Sequence, residues 1–208
     1  MHPLSLSYAP VDALATGLAT AVAWSGGGYA LAAKTTPDSL SHIITIGGKA
    51  ATNHSGKTFT ITGTDPDGRP QSEAIAGPNG VATVASTLYF RTVTSITVSA
   101  TTGADTFDIG YTAAAVSPTI PVDWRANQFQ VAVAVVITGT INVTVQHTFD
   151  GLHDEYVSSP TWFPNSGITS KTASTDGNYA YPITATRLLV NSVTAGATVA
   201  FKIVQNPQ

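Results

Sequence analysis

The densest set of chemically capable side chains is His147-Thr-Phe-Asp150-Gly-Leu-His153-Asp154-Glu155, two imidazoles and three carboxylates in nine residues. Imidazole and carboxylate are ordinary ligands of divalent metals. A site also needs geometry, and this run has none of the fixed spacing of a His-x-x-x-His pair on a helix. His147 closes an alternating strand and the remainder follows in a loop, so the run is expected to be a polar strand end with a solvated loop. Asp65-Pro66-Asp67-Gly68 begins like a calcium loop, but Glu73 falls at the wrong place for the bidentate acid. A type I turn with proline at its second position accounts for those four residues. Nucleophilic chemistry finds no cysteine and no Gly-x-Ser-x-Gly, and Glu73 and Glu155 are the sole glutamates. Gly26-Gly27-Gly28 lacks the Lys-Ser/Thr of a phosphate cradle. No catalytic, cofactor-binding or metal-ligating residue is assigned, and the chain is expected not to be an enzyme. Trp24, Trp124 and Trp162, with Tyr156 and Phe163, are the remaining candidates, as sugar-stacking platforms, interface anchors or core plugs. Trp162-Phe163 lies in the longest loop-like stretch, Gly151–Ser170, which favours packing or a partner.

The elements that must position these residues are strands. Lys57–Thr64 alternates Phe59 and Ile61 against threonines, and Asp105–Tyr111 places Phe107, Ile109 and Tyr111 on one face. In Thr92–Ala100 the parity changes between Val93 and Ile96, the mark of a bulge near Ser95. Gln128–Ile137 is nearly continuously apolar, as a strand buried on both faces would be. Ile141–Val145 and Thr198–Val204 alternate cleanly. Gly-, Asp- and Asn-containing turns separate these runs. Asp12–Ala23, rich in Ala and Leu, is the one candidate for a short helix.

A weak internal repeat organises the chain. Tyr89–Val98 matches Tyr181–Val190 at constant offset, with tyrosine, two threonines and the last valine identical and Ile96 matching Leu188. Upstream, Phe59–Asp65 resembles Val143–Asp150. The expected fold is all-β: two similar antiparallel sandwich or jelly-roll-like domains, residues 41–115 and 116–208, preceded by an N-terminal arm or first strands in residues 1–40. The join would fall in Ala113–Pro121.

Composition narrows the partners. Of 208 residues 43% are hydrophobic but only 10% are charged, with net charge −3, which excludes disorder and a coiled coil. Residues 1–115 carry five Lys/Arg against seven Asp/Glu and residues 116–208 four against five, so neither half has the basic footprint for nucleic acid. Absence of cysteine excludes disulfides and thiolate sites. The apolar stretch Val11–Trp24 is too short and interrupted for a membrane span, and no basic residue precedes Lys34, so no signal peptide is expected. Low charge on Val/Thr-rich strands without guarding lysines points to permanent neighbours.

Phe59-Thr-Ile-Thr-Gly-Thr-Asp-Pro-Asp-Gly, Ser72–Asn79, Val93–Val98, Val136–Asp150, Trp162-Phe163 and Thr175–Pro182 together resemble small β-rich structural proteins of tailed bacteriophages, over roughly residues 55–205. The resemblance implies a non-enzymatic virion component made in the host cytoplasm. The leading form is a capsid cement or decoration protein bound across capsomers, with the major capsid protein or other virion proteins as partners and a homo-oligomer, a trimer by analogy. A tail, baseplate or fibre-attachment protein is the alternative, and a glycan-binding sandwich a further one. It carries over no functional residue, and no cofactor is expected.

Overall fold

The computed structural model describes residues 3–126, 129–152 and 159–205. Its strands, in chain order, are β1 (Leu4–Tyr8), β2 (Leu14–Ser25), β3 (Gly28–Tyr29), β4 (Ser41–Gly48), β5 (Thr58–Thr64), β6 (Pro70–Ala76), β7 (Thr83–Phe90) and β8 (Thr92–Val98). They continue with β9 (Thr106–Val116), β10 (Ile120–Pro121), β11 (Val131–Thr138), β12 (Ile141–Thr148), β13 (Phe163–Pro164), β14 (Thr175–Tyr179), β15 (Ala185–Val193) and β16 (Thr198–Gln205). No helix occurs among the described residues, and the fold is all-β.

Contacts divide the chain into two compact units. One is Asp12–Ala115; the other combines Met1–Val11 with Val116–Gln208. Residues 1–40, expected as an arm or first strands, are therefore shared out: β1 pairs with β16 in the second unit, whereas β2 and β3 belong to the first. The physical reason is the ladder itself. Leu4, Leu6 and Tyr8 alternate with Ser5 and Ser7, and this period lets the segment lie against Ile203, Phe201 and Val199 with its apolar side inward.

In the unit Asp12–Ala115, β2-β9-β4-β7 form one pairing series and β3-β8-β5-β6 the other. Numbered within the unit, these orders are first-eighth-third-sixth and second-seventh-fourth-fifth. The second unit has β1-β16-β11-β14 and β10-β15-β12-β13, the same two orders. The register agrees as well. Phe59 faces Val98 and Ile61 faces Ile96 across β5–β8; Val143 faces Val190 and Val145 faces Leu188 across β12–β15. These are the residues that the sequence repeat aligns.

Both cores form where inward positions of these strands meet. In the first unit Tyr29 stacks on Phe59 at 5.7 Å, and both meet Phe107 edge-on at 5.4 Å. In the second, Val133, Val135, Val143, Val145, Leu188, Phe201 and Ile203 are buried. Removing such side chains from water supplies most of the folding drive, about 1.5–3 kcal/mol for each large one.

Three local expectations change. Asp12–Ala23 is mostly strand β2, not helix, because its backbone pairs with β9 and tertiary pairing outweighs the helix preference of Ala and Leu. The apolar run ending at Ile137 is buried on one face only: Val131, Val133 and Val135 point in, while Ala132 and Val136 are exposed. The units divide between Ala115 and Val116, inside the expected join Ala113–Pro121, of which only residues 117–119 lie outside strands. Within Gly151–Ser170, Phe163–Pro164 is a short strand beside β12. The parity change in β8 is a bulge: Thr62 faces Ser95 and Gly63 faces Val93, leaving Thr94 extra. Glycine is required there, because a Cβ on residue 63 would collide with the Thr92 carbonyl oxygen.

Candidate functional site

Two of the sequence candidates, His147 and Phe163, meet in the second unit, near the ends of β12 and β14. His147 is the penultimate residue of β12 and faces Thr186 on one side and Phe163 on the other. Its ring is enclosed by aromatics: Tyr179 at 4.9 Å, Phe149 at 5.2 Å, and Phe163 and Tyr181 each at 5.9 Å. His147 lies on β12 and Tyr179 ends β14, Phe149 and Tyr181 follow two residues later, just past those strand ends, and β13 brings Phe163 alongside.

The cluster has a buried floor and an exposed rim. Tyr179 and His147 are buried, at 1% and 4% exposure, whereas Phe149, Phe163 and Tyr181 remain 52%, 44% and 48% exposed. Phe149 contacts Phe163 at 5.8 Å and Tyr181 at 6.0 Å, so the rim is one continuous aromatic surface. The rings are inclined rather than parallel, at 52° and 34°. Burial pushes the His147 imidazolium below its usual pKa, leaving a neutral ring at pH 7, and its Nδ1 is buried without a partner among the described residues. Burial pushes the Tyr179 hydroxyl up to about 12, an effect softened by Asn165 and Thr186.

Below the rim, Asn165 fixes the loop that follows β13. Its Oδ1 accepts from the Gly167 and Ile168 backbone amides at 2.9 and 3.1 Å, and its backbone N–H donates to the Val145 carbonyl at 2.8 Å. Asp150 is occupied in the same way: its carboxylate accepts from the Thr161 amide at 2.6 Å, and its carbonyl accepts from the Thr184 hydroxyl at 2.7 Å. The expected polar cluster is thus divided. His147 faces the aromatic rings, Asp150 holds a loop, and His153, Asp154, Glu155 and Tyr156 lie outside the described residues. Among the described residues no three His, Asp or Glu side chains come together as metal ligands.

The tryptophans sit elsewhere. The Arg187 guanidinium lies 4.0 Å from the centroid of the Trp162 ring, while its Nε donates to Gln146 Oε1 at 2.8 Å. One face of that indole is therefore covered. Trp24 faces Tyr29 across the β2–β3 hairpin, its indole N–H buried without an acceptor among the described residues. Trp124 is half exposed beside Arg125, whose guanidinium lies 4.6 Å from the ring. Sequence reasoning named His147 and Phe163 but missed Phe149, Tyr179 and Tyr181. The signal was present in the i, i+2 pairs His147/Phe149 and Tyr179/Tyr181.

In the first unit, two imidazoles are spent on the fold. His42 Nε2 lies 2.9 Å from Asp38 Oδ2 and Nδ1 2.8 Å from the Thr112 carbonyl, with both side chains fully buried. His54 Nε2 lies 2.9 Å from Asp105, and hydrogen bonds from Thr52 and His54 hold that carboxyl below its usual range. An open cleft of about 460 Å³ at β3 and β8 is lined by Ser25, Tyr29, Lys34, Thr94 and Ser95, among others. No family model and no curated protein matches the chain.

Proposed function

We propose that the chain is a non-enzymatic structural component of a tailed-phage virion, placed by contacts with neighbouring proteins, and most simply a capsid cement or decoration protein bound across capsomers. The observation that carries this reading is the aromatic rim of Phe149, Phe163 and Tyr181 on a chain with only 10% charged residues. Contiguous exposed aromatics are costly to leave in water and are the residue types that dominate binding hot spots. Covering the rim with a partner recovers that cost, and the low charge adds little repulsion. The resemblance of residues 55–205 to phage structural proteins supplies the setting. A protein of this kind strengthens a shell by binding its assembled form in preference to its separated parts.

The shared strand orders support a reading of both units as eight-stranded jelly-roll sandwiches. A tail or fibre-attachment role uses the same contacts at lower copy number. A glycan-binding module is less well supported, because Arg187 already lies over one face of Trp162.

Quantitative gels of purified particles test the reading: cement predicts copies in proportion to the capsid protein, a tail part a small fraction of that. Absence from particles contradicts both. A Phe149→Ser/Phe163→Ser variant that retains its fold should lose binding to shells roughly thirtyfold or more, as expected for hot-spot removal of about 2 kcal/mol or more.

A further inference from the structure

Strand β1 is separated along the chain from the rest of its unit by all of Asp12–Ala115. Its one strand neighbour among the described residues is β16, the last strand, and it pairs on one side only. Leu4, Leu6 and Tyr8 on its inward side are half-buried, whereas the opposing Val199, Phe201 and Ile203 are fully buried. No hairpin holds β1 in place. When β1 leaves, β16 presents a five-residue edge, Val199–Ile203, whose alternate residues have unmet backbone groups above an apolar core, with Lys202 as its one charged residue. Such an edge captures another strand readily.

The strand that best fits the slot is another β1. Exchange between two copies reproduces every contact, so it is decided by concentration and by strain in the connection rather than by new interactions. A flexible tether holds a strand at an effective concentration on the order of millimolar, and copies crowded on a common surface compete at that level. The connection Ala9-Pro10-Val11-Asp12-Ala13 favours leaving in an extended direction, because Pro10 fixes its own φ and restricts Ala9 to extended conformations.

We propose that β1 is an exchangeable strand: that of one molecule seats beside β16 of a second copy of this chain, linking copies by strand addition. This stands on strand order alone and does not depend on the virion reading, so either can fail without the other.

The chain has no cysteine, which makes the test direct. Ser5 and Lys202 are cross-strand partners with both residues exposed. A Ser5→Cys chain is mixed with a separately tagged Lys202→Cys chain, concentrated and oxidised. Exchange predicts disulfide-linked heterodimers in excess of either homodimer by roughly tenfold, because a seated strand raises the local thiol concentration. Heterodimers at no more than the statistical share overturn the proposal. In the double variant Ser5→Cys/Lys202→Cys, linked multimers support exchange, and exclusive closure within one chain at all concentrations overturns it. The double variant also shows that the ladder forms at all.

Discussion

His147 illustrates how environment decides what an ionisable residue does. Beside carboxylates in the sequence it suggests a ligand; enclosed by four aromatic rings it is a neutral part of a packed cluster. Because burial lowers its folded pKa, the neutral form contributes stability that is complete above the unfolded value of about 6.5. That contribution is lost as pH falls below this value and through the folded pKa. The thermal midpoint should therefore drop between pH 7 and pH 5, and His147→Phe should flatten that part of the profile; an unchanged profile in the variant refutes the assignment. Phe107, in contact with Tyr29, Phe59 and His54, is the corresponding test in the other unit. Phe107→Ala should cost about 3–5 kcal/mol in urea unfolding. The aromatic rim was only half legible in the sequence. His147 and Phe149 stand two residues apart at the end of an alternating run. Nothing local shows that β13, a two-residue strand inside a long loop, brings Phe163 next to them.

At the scale of elements, alternation and turn chemistry revealed β5, β8, β9, β11, β12 and β16, and the repeat predicted which of the strands correspond. The agreement extends to register, since Phe59/Val98 and Val143/Val190 are both repeat-matched and cross-strand pairs. The bulge at Thr94 was visible as a change of parity, and its requirement for glycine appears only opposite it, at Gly63. Gly63→Ala should destabilise by about 1–3 kcal/mol, the range for forcing atoms into a packed site, read as a shifted urea midpoint without loss of cooperativity. Segment Asp12–Ala23 was misread because its composition favours helix while its pairing with β9 is a long-range fact. The assignment of β1 to the second unit was hidden for the same reason. Removing residues 1–11 should raise hydrogen exchange in β16 and leave β9 protected, although residues 1–11 adjoin the first unit in sequence. Equal exchange at both strands, or none at either, contradicts the assignment.

For the whole molecule, low charge takes on a more definite meaning. A chain with net charge −3 and few charged residues keeps an aromatic rim on one unit and a sheet face with exposed Ala132, Val136 and Val204 on the same unit. Those are surfaces that lower their free energy by being covered. We propose that a protein neighbour in an assembled particle covers them. Hydroxyl-radical footprinting of Phe149, Phe163 and Tyr181 in intact purified particles, against the same chain released from them, tests this most directly. All three rings should be protected several-fold in the particle while exposed Val81, in the other unit, reacts alike in both states. Equal labelling of the three rings in both states, or a chain that is absent from the particles, would contradict it.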